Sequence, residues 1–270
     1  IPAELMKQAF DTLKNLEVEA LICVGGDGTL TTALQFHQEG FPVVGVPKTI
    51  DNDLSATAMT FGFDSACQVV VDALDRLHTT ATSHKRAMVV EVMGRHAGWI
   101  ALFGGIGGGA EVILLPEIPF SYEKVADFIR EREASGNHCT LVVVAEGAKP
   151  EGGELVKNET VEQGEDRLGG IGDQVAAEIQ KRTGKESRCV TLGHLQRGGT
   201  PTSLDRVLAT RFGVKAVELI RDRRFGRMVS YQQYHVGCVE IADAVESLNL
   251  VDPEGEVVGA ARAIGICFGD

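Results

Sequence analysis

Two short stretches gather the residue types that phosphate and proton chemistry needs. In GGDGTL, residues 25–30, three glycines surround Asp27 directly after an apolar run. Backbone N–H groups from Gly26 to Thr29, clear of large side chains at Gly26 and Gly28, can approach phosphate oxygens at a helix N-terminus, and Asp27 can hold Mg2+. A tight turn with Asp27 as helix cap accounts for the same residues. In PKTIDND, residues 47–53, Lys48, Thr49, Asp51, Asn52 and Asp53 follow the apolar FPVVGV. Asp51 and Asp53 are two apart, so an extended segment puts both on one face, where one carboxylate can accept a proton while the other orients a metal ion or water. Asp and Asn bonding their own backbone in a turn is the alternative.

Cationic groups follow further along. MGRHAGW, residues 93–99, sets Arg95 just past an apolar run, suited to neutralising a transferring phosphoryl group or, equally, to a surface ion pair. His96 has no evident partner and reads as structural. GHLQRGG, residues 193–199, brings His194 and Arg197 before a double glycine, two donors that can grip a phosphate monoester. Arg86, in SHKR, and Arg188, in ESRCV, stand at strand beginnings rather than ends. From there they reach a site across a subunit interface, or they are exposed solubilising charges.

Apolar periodicity supplies the elements that must position these groups. Helices are expected at 3–16, 31–40, 64–80, 99–108, 121–136 and 172–184, with strands at 20–26, 41–46, 86–94, 111–117, 139–147 and 187–193. A long helix over 203–222 opens on the Thr202/Asp205 capping pattern, and no element is assigned beyond it. This alternation predicts an α/β protein of doubly wound parallel sheets, whose ligands gather at strand carboxyl ends. The polar, glycine-containing stretch 149–167 is expected as a surface loop.

The 270 residues allow two domains. Net charge is −12, from 38 acidic and 26 basic residues, which argues against a nucleic-acid partner held on a broad basic face. Six cysteines at 23, 67, 139, 189, 238 and 267 show no zinc spacing and read as reduced thiols. With no apolar run approaching the ~20 residues of a membrane helix and no leader, the expectation is a cytoplasmic protein without a membrane partner. GxxxxGK[ST] and a complete GxGxxG are both missing, so neither a Walker site nor a dinucleotide fingerprint is supported.

In order and over nearly the whole chain, GGDGT, PKTIDND, the SHKR…EVMGR spacing, VVAEG and GHLQRGGTPTSLDR resemble the 6-phosphofructokinase family. The resemblance implies two Rossmann-like lobes: a phosphoryl-donor lobe of residues 1–62 and 196–246 and a fructose 6-phosphate lobe of residues 63–195 and 247–270. It implies phosphoryl transfer from ATP to the 1-hydroxyl of fructose 6-phosphate, with Asp51 as general base, Thr49 at the transferred group and Arg95 offsetting charge. Asp27 and Asp53 are implied as Mg2+ ligands, and Gly26, Asp27, Gly28, Thr29 and Lys48 as donor contacts. For the sugar phosphate it implies Met93, Gly94, Arg95, Glu146, His194 and Arg197, with Arg86 and Arg188 reaching in from a neighbouring subunit of a homotetramer or homodimer.

Departures bear on the donor and on completeness. The family's N-terminal strand and GGDxPG-type turn do not precede Gly25, so the resemblance predicts an upstream segment that activity needs. Pyrophosphate-using relatives usually carry Asp where Gly28 stands, which favours ATP; Lys48 is typical of the pyrophosphate enzymes, and Thr32 replaces a glycine frequent near the adenosine. His78 and Asn137 stand where bacterial members bind an effector's phosphates, so strong control by that route is not expected. A lipid- or NAD-kinase reading of GGDGT lacks PKTIDND and GHLQRGG. A non-catalytic sugar-phosphate-binding subunit remains the alternative from another class, and it leaves Asp51 without a purpose.

Overall fold

The computed structural model describes residues 1–159 and 167–270. In chain order its elements are α1 (Ala3–Asn15), β1 (Leu21–Gly25), α2 (Asp27–Gln38), β2 (Val43–Thr49), β3 (Phe61–Gly62), α3 (Phe63–His84), β4 (Ala87–Val92), α4 (Trp99–Gly107), β5 (Val112–Leu114) and α5 (Tyr122–Ala134). There follow β6 (Thr140–Ala145), β7 (Lys157–Glu159), β8 (Arg167–Leu168), α6 (Ile171–Thr183), β9 (Ser187–Thr191), a 3-10 turn at Gly193–Arg197, α7 (Ser203–Arg221), β10 (Arg227–Gln232), β11 (His235–Glu240), α8 (Ile241–Val245) and α9 (Glu256–Ala263). The expected surface loop over 149–167 lies partly outside the described residues.

Two compact units divide the chain: Ile1–Asp64 with Pro201–Asn249, and Ser65–Thr200 with Leu250–Asp270. The sequence reading sets its lobe joints at 62/63, 195/196 and 246/247.

In the first unit the sheet order is β1-β2-β10-β11, with β3 pairing β2. β1, β2 and β10 run parallel, whereas β10 and β11 form an antiparallel hairpin. The hairpin adds an antiparallel edge to the expected parallel sheet, beyond the last element assigned from the sequence. Its turn residues, Gln233 and Tyr234, both have positive φ, +48° and +63°. That is the backbone sense of a two-residue hairpin turn, normally signalled by Asn-Gly or Asp-Gly, and here the signal is missing. The capping pattern opens α7 as expected: Thr202 Oγ1 accepts the Asp205 N–H. The buried Asp205 carboxylate also receives the Gly62 N–H at 2.9 Å, which ties α7 to β3.

The second unit holds an all-parallel sheet ordered β5-β6-β4-β9. Every residue of β4 and β6 is buried, as expected for strands covered on both faces. Glycine-rich α4 forms despite poor helix propensity because only glycine fits its surroundings. A Cβ on Gly104 would lie 2.7 Å from Val70 and one on Gly105 2.6 Å from Ile113. One polar side chain inside this core has a defined task. Glu91 of β4, 2% exposed, accepts the N–H groups of Gly170 and Gly172 at 3.0 and 2.7 Å, filling the donors that open α6.

All six cysteines are free thiols. Among the described residues no helix is long and apolar enough to cross a membrane.

Replacing Glu91 with Leu leaves two buried donors without an acceptor, each worth about 1–3 kcal/mol. Glu91→Leu is therefore expected to lower unfolding free energy by about 2–4 kcal/mol, read from the urea midpoint; an unchanged midpoint would show that Glu91 does not hold α6.

Candidate active site

An acidic cluster lies in the first unit, at the carboxyl ends of β1 and β2. β1 ends at Gly25, and α2 starts two residues later at Asp27, so the glycine turn is already helical. The tightness has a steric cause, since a Cβ on Gly25 would meet the Thr29 side chain at 2.3 Å. Gly28 is different: a Cβ there would have nothing within 4 Å. Gly26 occupies the N-cap and no side chain caps α2, so Asp27 is not spent as a cap. Beside the turn is an apolar cavity of about 340 Å³ lined by Leu21, Cys23, Gly28, Thr29, Thr32, Ala33 and Phe36.

From the end of β2 the chain runs Lys48, exposed, then Thr49, whose hydroxyl accepts the Asp51 N–H at 3.2 Å and lies 3.4 Å from Asp51 Oδ2. The next residue corrects the expectation of an extended segment. Asn52 has φ +53°, in the left-handed region, so Asp51 and Asp53 are related by a sharp reversal and not by strand alternation. They nevertheless act on one another. Asp53 is pushed up to about 6, first by burial and then by the charge of Asp51, with its own backbone N–H opposing and Asp27 adding to the rise.

Asp53 Oδ1 is buried without a hydrogen-bond partner. A desolvated oxygen in a cluster of like charges fits a divalent cation. Among the described residues no group of three or more protein ligands forms a complete cage. Mg2+ is commonly held by only one or two carboxylates, with water and substrate phosphates completing its shell; Asp27 and Asp53 fit that pattern.

A separate group of candidate residues, with Arg95, His194 and Arg197, lies in the second unit. Beyond β4, Met93 is buried and Gly94 takes φ +141° with the carbonyl of Ala97 only 2.8 Å from where a Cβ would stand. The Arg95 loop packs on the loop after β6: Glu146 donates its N–H to Val92 O at 2.8 Å, and a Cβ on Gly147 would lie 2.0 Å from Arg95 O. Arg95 and Glu146 are thereby brought side by side. His194 and Arg197 are exposed on the 3-10 turn.

A residue missed by the sequence reading ties that turn to β4. Gln196, 2% exposed, accepts the Met93 N–H at 3.3 Å and donates to Gly193 O at 3.1 Å. Its signal was a polar residue between His194 and Arg197 in an otherwise exposed motif. The loop bearing Arg95 has a second anchor. Glu117 accepts the N–H groups of Gly98 and Val251, both at 2.9 Å, and burial raises its carboxyl above the usual range.

Arg86 and Arg188 are not brought to this group. They stand at the opposite ends of β4 and β9, roughly 20 Å away by strand rise, where Met88 pairs with Arg188. There Glu186 binds both: Arg86 Nε to Oε2 and Arg188 Nη2 to Oε1, each at 2.8 Å.

The Asp53 shift has a defined sign for stability. Folded, Asp53 keeps its proton to about pH 6; unfolded, it releases it near the ordinary aspartate value of 3.8. The folded state thus binds the extra proton between these values, and stability falls as pH rises through that window. In Mg2+-free buffer Asp53→Asn is expected to melt above wild type at pH 8 and level with it at pH 4. Equal melting temperatures at both pH values would show that Asp53 is not strained.

A phosphofructokinase family model matches residues 2–220. The ATP-dependent 6-phosphofructokinase of Chloroflexus aurantiacus is 51% identical over 97% of this chain and 72% of its own length. A pyrophosphate–fructose 6-phosphate 1-phosphotransferase of Amycolatopsis methanolica is 56% identical over 88% of the chain and 70% of its own. Among solved structures, the T-state phosphofructokinase of Pichia pastoris superposes with a TM-score of 0.78 at 33% identity, covering 89% of this chain and 28% of that one. The chain belongs to the phosphofructokinase family.

Proposed function

We propose that the protein transfers the terminal phosphoryl group of ATP to the 1-hydroxyl of fructose 6-phosphate. The observation that carries this reading is Asp51 at the end of β2, its N–H donated to the Thr49 hydroxyl, that hydroxyl 3.4 Å from its carboxylate, and Asp53 beside it. A pure binding protein has no use for such a base. Asp51 takes the hydroxyl proton as the sugar oxygen forms its bond to phosphorus, and the bond from phosphorus to the departing ADP breaks. Thr49 orients Asp51 and contacts the transferred group, while Arg95 offsets charge on the equatorial oxygens. Asp27 and Asp53 would hold Mg2+, which would supply charge neutralisation on the donor phosphates.

Glu146 accepts sugar hydroxyls, Met93 and Gly94 pack on the ring, and His194 and Arg197 bind the 6-phosphate. Arg86 and Arg188, remote from these within one chain, serve the site of a second copy, so the active form is a homodimer or homotetramer. Six free thiols fit a cytoplasmic setting.

For the donor, two features support ATP. Gly28 opens on empty space, where an α-phosphate can lie, and the adjoining apolar cavity is of a size to receive part of a nucleoside. Pyrophosphate needs neither. Lys48, exposed beside Thr49, is the observation in favour of pyrophosphate as a second reading.

A coupled assay on the protein at its natural length tests both levels. Asp51→Ser is expected to lose more than about a hundredfold in kcat, and an unchanged rate removes Asp51 from the mechanism. Gly28→Asp is expected to depress the ATP-dependent rate by about tenfold or more and to spare any pyrophosphate-dependent rate. If instead the ATP rate survives that change, the donor assignment is wrong.

A further inference from the structure

Between the two aspartates stands a residue to which no chemistry has been assigned. Asn52 is 5% exposed and left-handed, and its side chain is engaged within the protein. Its Oδ1 accepts the N–H of Thr60 at 2.9 Å, and its own carbonyl accepts from Asn249 Nδ2 at 2.9 Å. Thr60 is fully buried, and its hydroxyl donates to the carbonyl of Thr49 at 2.8 Å. The Asn249 backbone N–H closes the far side on Asp53 O at 2.8 Å. Thr49, Asn52 and Asp53 are thus each pinned by backbone or amide groups, and they flank Asp51, which bonds Thr49 in turn.

We infer that Asn52 is a positioning residue for the phosphoryl-transfer step, holding the Asp51 base through its left-handed backbone and its amide bond to Thr60. The inference rests on the reading of Asp51 as base.

Three requirements meet at this position. The backbone must reverse with φ near +53°, which asparagine and glycine tolerate and β-branched residues do not. The side chain must offer an acceptor to the buried Thr60 N–H, which would otherwise be left without a partner; glycine cannot. It must also be neutral, because Asp51 and Asp53 flank it directly and an aspartate would place three carboxylates in consecutive residues. Asparagine meets all three.

The test compares Asn52→Gly, Asn52→Asp and Asp51→Ser in the protein at its natural length, measuring kcat, KM for fructose 6-phosphate and melting temperature. Glu91→Leu serves as a control destabilised in the other unit. Glycine keeps the backbone and releases the loop, so Asn52→Gly is expected to lower kcat about tenfold or more while KM moves less than about threefold. Asn52→Asp keeps backbone and acceptor, so it is expected to melt near wild type yet still lose kcat through its added charge. Glu91→Leu is expected to keep its kcat below its melting range.

A wild-type kcat for Asn52→Gly alongside an inactive Asp51→Ser overturns the positioning role alone. A wild-type rate for Asp51→Ser overturns both the base and its positioner. A loss confined to KM, or an equal kcat loss in Glu91→Leu, also overturns the inference, by showing a binding or a general stability effect.

Discussion

Mutual repulsion among carboxylates is the constraint around which the first unit is arranged. Asp53 is raised toward neutrality by burial, by Asp51 and by Asp27, in a chain that already carries a net charge of −12. Left to itself such a cluster would move apart, since exposed carboxylates gain solvation by separating. Part of what opposes that is neutral. It is a set of backbone and amide hydrogen bonds, from Asn249 to Asp53 O and Asn52 O and from Thr60 to Asn52, anchored in turn on the β2–β3 pair and on α7 through Asp205. The fold stores electrostatic stress at the strand ends and restrains it with neutral groups.

The second unit solves a different problem, how to present cations on loops without letting the loops wander. Its answer is close backbone approach. Gly147 lies so near the Arg95 carbonyl that no side chain fits between them, and Gln196 fastens the His194/Arg197 turn to the end of β4. Glu117 grips the same loop further on, and its incompletely bonded carboxyl reflects the burial this requires. A parallel sheet buried at every position of β4 and β6 gives these loops a rigid base.

Much of this was legible because the informative residues stand at strand ends, where apolar runs give way to polar ones. Asp27, Asp51, Arg95 and the remoteness of Arg86 and Arg188 could be read that way. The sharing of Glu186 by those two arginines could not, because it depends on the register of β4 against β9. Two further misses have backbone causes. Asn52 was read as part of an extended segment, although its left-handed φ is what orients its neighbours, and Gln233-Tyr234 makes a hairpin turn without glycine. Backbone handedness at a residue other than glycine leaves little trace in composition. Gln196 was passed over because its burial is set by packing against β4, which a motif does not display.

The Glu186 contact bears on how the molecule looks to ligands at long range. One carboxylate cannot balance two guanidinium groups, so this pair of strand origins retains an uncompensated positive charge on a strongly anionic body. Polyanions meet repulsion from the molecule's net charge, which two guanidinium groups sharing one carboxylate weaken locally. Such a weakening is felt over about a Debye length, near 8 Å at physiological salt, and fades as ionic strength rises. Encounter, and not only final grip, is thereby biased toward the face where those strands begin.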